Sequence, residues 1–401
     1  MPIVFQINSS CNRGSTGRIS EMIGLAAKKR GYDCYMAYGR YYQPSDLKII
    51  KVGNLFTLGL HLLGSRLLDN HGLMSVSSTK HLVKQIKEIN PDIIHLHNIH
   101  GYFINYKILF EYLASTNIQV VWTLHDCWLF TGHCSHFVTV GCEKWKTQCY
   151  DCPLIKDYPK SFIDRSSRNY RLKKELFTTL IDRLTLVPVS NWLAGYVKDS
   201  FLKGANIHTI HNGINTDIFK YTNKVYQGLP KGKKIVLAVS GVWTSKKGLN
   251  DIEQLSKILD GSFQIVVVGL TSKQIKSLPS TIMGIEHTES LEELVVLYSS
   301  ADVYINPTWE DNFPTTNLEA LACGTPVITY RTGGSVEAVT PETGSIVEQG
   351  DVNSLKKEIE RICSLERDDL RVLCRKRAVE EFEMTDRYEE YVDIYDSLLN
   401  R

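Results

Sequence analysis

Short apolar runs alternate with longer amphipathic segments along almost the whole chain. In the first half, runs rich in β-branched residues lie at 3–7, 93–96, 120–124, 186–189 and 207–210, and in the second half at 235–239, 263–268, 303–305 and 327–329. Strands that alternate with helical segments are typical of βα units, which form parallel sheets. The pattern therefore predicts an α/β protein with two sets of parallel strands.

A polar segment separates the two strand sets. Residues 219–234 carry Gly228, Pro230 and Gly232 and have the composition of a linker. Residues 379–399 place apolar and aromatic side chains at helical spacing. We therefore expect an N-terminal domain over 1–220, a C-terminal domain over 234–378 and a closing helix over 379–401.

Composition and charge narrow the class of protein. The 401 residues suit two domains, and 43% apolar against 22% charged residues favours a folded chain. A formal net charge of +2 gives no overall field for nucleic acid, so no nucleic-acid partner is expected. No run approaches the ~20 apolar residues of a membrane span, and the N-terminus lacks the pattern of a signal peptide. The sequence predicts a cytoplasmic protein.

The strongest local motif is the segment 309–327, WEDNFPTTNLEALACGTPV. Asp311 and Glu319 are eight positions apart, and Thr315 or Thr316 is expected to cap a helix that carries Glu319. Both carboxylates can then reach a ligand at the helix N-terminus, where the dipole also favours phosphate. A carboxylate can accept hydrogen bonds from both hydroxyls of a cis-diol. The alternative is a surface glutamate and a turn-forming aspartate.

This segment resembles the signature of family 4 glycosyltransferases with the GT-B fold, in which an acidic residue, seven others and a Glu precede a small-residue helix and a Gly-x-Pro turn. The segment 241–248 (GVWTSKKG) matches the family's diphosphate-binding turn, while Asn212-Gly213 and Gly333-Gly334 match two further family turns. GSTGRI and HDCWLFTGHC are closest to a bacterial branch found in capsule and exopolysaccharide clusters.

The resemblance implies two Rossmann-like domains facing across a cleft. It implies transfer of a sugar, with retention and without a catalytic metal, from a UDP- or GDP-sugar to a hydroxyl of a polysaccharide or lipid-linked oligosaccharide. Glu319 would bind the ribose, Asp311 the donor sugar and Lys247 the diphosphate. The other residues expected at the donor are Gly14, Gly17, Gly241, Lys246, Glu310, Asn312, Phe313 and Thr315.

Two positions depart from the family pattern. The first acidic position is Asp311 rather than the usual Glu, with Glu310 adjacent as a substitute. Val242 stands where the family has an Arg, which leaves Lys246 or a distant basic residue to supply the second positive charge.

Histidines follow two strands of the first set. His125 comes directly after one strand, where an imidazole can bond a sugar hydroxyl, and the resemblance makes it a catalytic candidate. The segment IIHLHNIHG resembles a His-x-His-Asn segment of the same family, which makes His97, Asn98 and His100 acceptor-side candidates. Some of these histidines are expected to be structural.

Five cysteines fall within 26 residues. Cys134, Cys142, Cys149 and Cys152 can supply four thiolates to a structural zinc ion, with Cys127 and His133 as alternates. Reduced packed thiols and redox pairing are the other interpretations. Zinc is therefore expected as a structural cofactor only.

The segment 55–74 is strongly apolar. It is interpreted either as a core-packing helix or as an element that contacts a membrane surface or a lipid acceptor. Three other functions share the predicted architecture or motifs: a nucleotide-sugar epimerase, a phosphorylase, and a non-catalytic glycan- or nucleotide-binding scaffold.

Overall fold

The computed structural model describes residues 1–400, so position 401 of the predicted closing helix lies outside the described residues. The chain folds as two compact α/β units. The first unit comprises Met1–His211 together with the chain from Tyr388 onward, and the second comprises Asn212–Arg387. The predicted α/β class with two Rossmann-like units is confirmed.

The first unit is built on a parallel sheet of seven strands in the order β3-β2-β1-β4-β5-β6-β7. The central strand β4 is buried along its whole length, as expected for a parallel sheet covered on both faces. The strands are β1 (Ile3–Cys11), β2 (Asp33–Tyr42), β3 (Lys48–Lys51), β4 (Ile93–Leu96), β5 (Gln119–Leu124), β6 (Leu184–Pro188) and β7 (Asn206–Ile207).

Six helices of the first unit connect these strands. They are α1 (Gly14–Lys29), α2 (Leu55–Leu68), α3 (Val76–Ile89), α4 (Tyr106–Ala114), α5 (Ser166–Thr178) and α6 (Asn191–Asp199). No helix within residues 1–400 has the length and apolar character needed to cross a lipid bilayer.

The second unit holds a parallel sheet of six strands in the order β10-β9-β8-β11-β12-β13. Its strands are β8 (Lys234–Val239), β9 (Phe263–Val268), β10 (Ile282–Ile285), β11 (Val303–Asn306), β12 (Val327–Tyr330) and β13 (Gly344–Val347). Its helices are α7 (Leu249–Ile258), α8 (Ser272–Ser277), α9 (Leu291–Ser300), α10 (Thr315–Ala322), α11 (Val352–Cys363) and α12 (Arg367–Phe382).

The predicted closing helix is two helices. The helix is interrupted at Glu383, between α12 and the last helix, α13 (Met384–Leu399). The reason is a backbone pairing: Ile214 N donates to the Phe382 carbonyl, and Met384 N donates to the Ile214 carbonyl. The part of α13 from Tyr388 onward belongs to the first unit.

Ion pairs and a buried tyrosine attach the C-terminal part of α13 to the first unit. Arg30 donates to Glu389 at 3.0 Å and to Asp393 at 2.9 Å, and it also pairs with Asp396. The Tyr395 hydroxyl lies 2.5 Å from Nδ1 of the buried His95 on β4. The last helix is therefore part of the first unit's packing.

Helix α2 does not bury its apolar face. The residues it buries are His61, Gly64 and Ser65, whereas exposed large side chains recur along the opposite face: Phe56 (72% exposed), Leu60 (47%), Leu63 (53%) and Leu67 (47%). The interpretation of this segment as a core-packing helix is therefore wrong.

Candidate active site

The loop between β11 and α10 positions the acidic residues of the second unit. Helix α10 begins at Thr315 with Pro314 as its N-cap and no side-chain capping bond, so the expected cap by Thr315 or Thr316 is wrong. Thr315, half-buried, is the first helical residue. Glu319 lies one turn further on, and its Oε2 accepts a hydrogen bond of 2.9 Å from the hydroxyl of the buried Tyr298.

A short turn brings two lysines to this loop. The turn Ser245–Lys247 ends at Gly248, whose φ of +79° and contact with Pro307 exclude a side chain, because a Cβ there would collide with the Pro307 carbonyl. The Trp309 amide donates to the Lys246 carbonyl at 2.9 Å, which joins the turn to the loop.

Two ion pairs form where the turn meets the loop. Lys246 Nζ lies 3.1 Å from Glu310 Oε2, and Lys247 Nζ lies 2.6 Å from Asp311 Oδ2. Lys247 also donates to the Glu310 carbonyl at 3.2 Å. The structure thus brings together two pairs of predicted donor residues that are 64 positions apart along the chain.

A glycine pair supports the same loop. Gly333, at a φ of +52°, packs so closely against the Asp311 carbonyl that a Cβ would collide with it. The Gly334 amide donates to the Asn312 carbonyl at 3.1 Å. Neither glycine was among the predicted site residues, although the sequence contains the pair at a family turn. Both act through the backbone of the acidic loop.

Two predicted donor residues have buried side chains. Phe313 is 4% exposed, and its ring lies 5.8 Å from that of Phe382, centroid to centroid, with the planes tilted by 55°. Its carbonyl accepts a hydrogen bond from the Asn212 side chain. Asn312 is 6% exposed. Gly241, in contrast, is exposed, and a Cβ there would meet no atom within 4 Å. Phe313 therefore shapes the loop from inside the unit.

The glycine-rich segment after β1 is mostly helix. Helix α1 begins at Gly14 and includes Gly17 in its first turn. Gly14 has a φ of +70° and open space around it, so its backbone favours glycine. A Cβ on Gly17 would lie 2.8 Å from Ser10 Oγ, so this glycine permits close packing of α1 on β1.

A chain of hydrogen bonds leads to His125 at the carboxyl end of β5. His97 Nε2 lies 2.9 Å from Gln6 Oε1, and His97 Nδ1 lies 3.3 Å from His125 Nε2. Burial lowers the pKa of His125 to about 4 and holds that of His97 well below its usual value. Both imidazoles are therefore neutral near pH 7, and His97 is a buried supporting residue.

The other acceptor-side candidates lie at the same sheet edge. His100 Nε2 lies 2.8 Å from Asp126 Oδ2, and the Tyr158 hydroxyl donates to the His100 carbonyl at 3.2 Å. Burial acts to raise the pKa of Asp126, but the charge of His100 and its hydrogen bond bring it to about 2. The amide of Asn98 donates to Asn8 Oδ1 at 3.2 Å. Asp126 was not among the predicted site residues, although it directly follows His125.

The cysteines predicted as zinc ligands lie close together in the first unit. Across residues 1–400, no group of three or more His, Cys, Asp or Glu side chains is arranged to hold a metal ion. Cys134 and Cys152 share a thiol–thiol hydrogen bond, and Cys149 Sγ accepts the Gly132 amide at 3.3 Å. Cys134 and Cys149 pack within the first unit's core, Cys142 and Cys152 pack against it, and zinc binding by these four cysteines stays a prediction.

Two family models match nearly the whole chain. The model for Glycosyltransferase Family 4 matches residues 21–218, and the model for Glycosyl transferases group 1 matches residues 221–380. WcaC of Escherichia coli K12, whose name assigns it to colanic acid biosynthesis, is 24% identical over 328 residues, 77% of each chain. The Staphylococcus aureus capsular polysaccharide biosynthesis glycosyltransferase CapM is 26% identical over 207 residues, 47% of this chain and 53% of CapM.

Solved glycosyltransferase structures share the fold over the full length. Sucrose-phosphate synthase from Thermosynechococcus elongatus superposes with a TM-score of 0.71 at 18% identity and covers 100% of both chains. Anabaena Alr3699/HepE, solved in complex with UDP, gives a TM-score of 0.66 at 13% identity, with 99% of this chain and 100% of that chain covered. With the paired family models and the GT-B fold, the chain belongs to glycosyltransferase family 4.

Proposed function

We propose that this enzyme transfers a sugar, with retention, from a UDP- or GDP-sugar to a hydroxyl of a surface polysaccharide or its lipid-linked precursor. The observation that carries the proposal is the convergence of the Lys246–Glu310 and Lys247–Asp311 ion pairs beside the start of α10. Such a site offers cations to a diphosphate and carboxylates to sugar hydroxyls. WcaC and CapM, both named for polysaccharide biosynthesis, support the kind of product.

In this reaction, the acceptor oxygen forms a bond to the anomeric carbon while the bond from that carbon to the diphosphate oxygen breaks. The acceptor proton is released, and the departing nucleoside diphosphate gains negative charge. Lys247 and the N-terminal dipole of α10 would stabilise that charge. Glu319, oriented by Tyr298, would accept the ribose hydroxyls.

The first unit would bind the acceptor. His125 is neutral near pH 7 because burial lowers its pKa to about 4, so it would act through hydrogen bonds to sugar hydroxyls rather than through charge. His100 and Asn98 lie at the same edge. A cytoplasmic enzyme in peripheral contact with a membrane fits the exposed apolar face of α2, since such faces bury into the membrane interface.

Melting temperatures measured with UDP-, GDP-, dTDP- and ADP-sugars would test the donor site, since a ligand that binds only the folded state stabilises it by ~2.7 kcal/mol at 100 times its Kd. We expect one nucleotide to raise the melting temperature of the wild type and not of Lys247→Ala. Release of nucleoside diphosphate only when acceptor is added distinguishes transfer from epimerisation. A chain that responds to none of the four nucleotides would contradict the proposal and favour a scaffold.

A further inference from the structure

The ion pairs of the candidate donor site join two segments that are far apart in sequence. Lys246 and Lys247 lie on the short turn that begins at Ser245. Their carboxylate partners, Glu310 and Asp311, lie on the loop before α10. Partly exposed ion pairs contribute only about 0–1 kcal/mol each, because water screens them. Other contacts must therefore hold the turn beside the loop.

Trp309, the residue before the two carboxylates, makes such contacts through its backbone. Its amide donates to the Lys246 carbonyl at 2.9 Å, and its carbonyl accepts a hydrogen bond of 3.2 Å from Gln349 Nε2. Its ring packs on Gly350, where a Cβ would lie 3.1 Å from the indole. Gln349 and Gly350 belong to the segment between β13 and α11. Neighbours on two sides thus fix the position of Trp309 in the second unit.

The indole of Trp309 is held by a buried carboxylate on α7. Its Nε1 donates to Asp251 Oδ2 at 2.6 Å, and Asp251 is only 7% exposed. Helix α7 begins at Leu249, directly after the Gly248 that ends the turn with the lysines. The Asp251 amide donates to the Gly248 carbonyl at 3.1 Å. Asp251 therefore belongs to the same continuous segment as the two lysines.

A role in starting α7 does not account for the orientation of Asp251. An acidic side chain in the first turn stabilises a helix through its dipole, and Asp251 is in the first turn of α7. That role is fulfilled equally well at the surface, where the charge stays hydrated. Burial disfavours the charged form and raises the pKa of Asp251, while the hydrogen bond from Trp309 acts to lower it. The contact with the indole therefore explains why this carboxylate faces inward.

We propose that Trp309 and Asp251 are positioning residues that set the distance between the lysines and the carboxylates of the donor site. Trp309 connects the loop to the segment of the lysines twice, through its amide and through its indole. Neither residue is assigned a contact with substrate. The inference deepens the proposed function and rests on it for the word donor. A displacement of about 1 Å at a reacting group can lower a rate about a hundredfold, so the spacing matters for catalysis.

Acylation of lysines with acetic anhydride, followed by mass spectrometry, tests the positioning without measuring turnover. An ion-paired ammonium group reacts slowly, because the carboxylate favours the protonated form and only the neutral amine is nucleophilic. Trp309→Phe removes the indole N–H and keeps an aromatic ring. We expect it to raise the labelling rate of Lys247 about threefold, the size expected for an exposed ion pair. The rate at Lys257, an exposed lysine of α7, should not change.

Variants of the carboxylate provide a second arm. Asp251→Leu should raise the labelling of Lys247 as Trp309→Phe does, whereas Asp251→Asn, whose amide oxygen still accepts the indole N–H, should not. Trp192→Phe is the matched control, the same substitution at a half-buried tryptophan of the first unit, and should have no effect. Unchanged labelling of Lys247 in both Trp309→Phe and Asp251→Leu would overturn the proposal. Labelling that rises equally at Lys257 would also overturn it, in favour of a general loosening of the unit.

A double-mutant cycle tests whether Trp309 acts through Lys247. With the donor identified by the nucleotide panel, Trp309→Phe should lower kcat about tenfold to a hundredfold in the wild type. In the Lys247→Ala background it should lower kcat less than about twofold, because the residue to be positioned is gone. Equal losses in the two backgrounds would overturn the proposal. A chain that shows the labelling changes but releases no nucleoside diphosphate from any donor would contradict the proposed function alone.

Discussion

Lys247 Nζ lies 2.6 Å from Asp311 Oδ2, so the residue assigned to the donor diphosphate is ion-paired with the residue assigned to the donor sugar. The two side chains are 34% and 21% exposed. A pair that is this accessible contributes little to stability, because water screens it. The role of the ion pair is to position the lysine, because the carboxylate holds the ammonium group beside the loop that precedes α10.

Lys247→Ala should lower kcat at least ~100-fold, the usual effect of removing one charge-stabilising donor from a transition state. The melting temperature should change little, because the pair is partly exposed. Single-turnover kinetics with the donor identified by the nucleotide panel would measure this. Lys257→Ala, which removes an exposed lysine of α7 outside the proposed site, is the control and should keep the wild-type kcat. An unchanged kcat in Lys247→Ala would contradict the assignment of Lys247.

Glu319→Gln should weaken nucleotide binding about tenfold to a hundredfold, because a hydrogen bond to a charged group is worth about 1.5–3 kcal/mol. The amide oxygen of Gln can still accept the Tyr298 hydroxyl, so the helix should keep its position. Calorimetry with UDP and GDP measures the change. Tyr298→Phe, which keeps the carboxylate but removes its partner, should give a smaller loss. Unchanged affinity in Glu319→Gln would remove this residue from the ribose site.

Gln6 should act as a positioning residue for His125. Its Oε1 accepts from His97 Nε2, which leaves His97 Nδ1 to accept from His125 Nε2. His125 is therefore expected to carry its proton on Nε2. Gln6→Met should lower kcat about tenfold, an order-of-magnitude expectation for a misplaced catalytic group, with an unchanged donor KM. Nitrogen-15 NMR of His125 would show mixed tautomers, whereas Gln6→Glu, which can only accept, should restore one. A wild-type spectrum in Gln6→Met would contradict the relay.

The sheets could be read from the sequence because buried parallel strands are continuous apolar runs. The strands predicted at 93–96 and 263–268 occur at those positions. Strand β2 was missed because its sequence, DCYMAYGRYY, mixes phenols with two charges and a glycine. Strands β3 (KIIK), β10 (IMGI) and β13 (GSIV) were missed because lysines or a glycine interrupt or flank their short apolar runs. Propensity is weak over such short or mixed runs.

The candidate site could be predicted only where residues close in sequence form it. Local spacing placed Asp311 and Glu319 near one helix start, but it could not pair Lys247 with Asp311, since that contact depends on how the sheet orders its strands. The sequence also could not predict which face of α2 is buried. Its leucines have the spacing of a core helix, and only the hydrogen bonds of His61 show that the polar face lies inside. The pairing partner that divides α12 from α13 lies far away in sequence, at Ile214.

Acid should destabilise the chain through two buried histidines of the first unit. Burial lowers the pKa values of His61 and His95 to about 3, whereas an unfolded His titrates near 6.5. Below pH 6.5 the unfolded state therefore binds more protons, and the stabilisation present above that pH is lost progressively as the pH falls toward 3. At pH 5 the loss is about 2 kcal/mol for each His.

Urea unfolding of the full chain between pH 7.5 and 5 measures this loss. The partners of His95, Tyr395 and Thr123, are neutral, so no carboxylate offsets the effect. His95→Gln should flatten the pH profile, while His81→Gln, at an exposed position, should leave it unchanged. A midpoint that does not move between pH 7 and 5 would show that the two histidines are not buried as described.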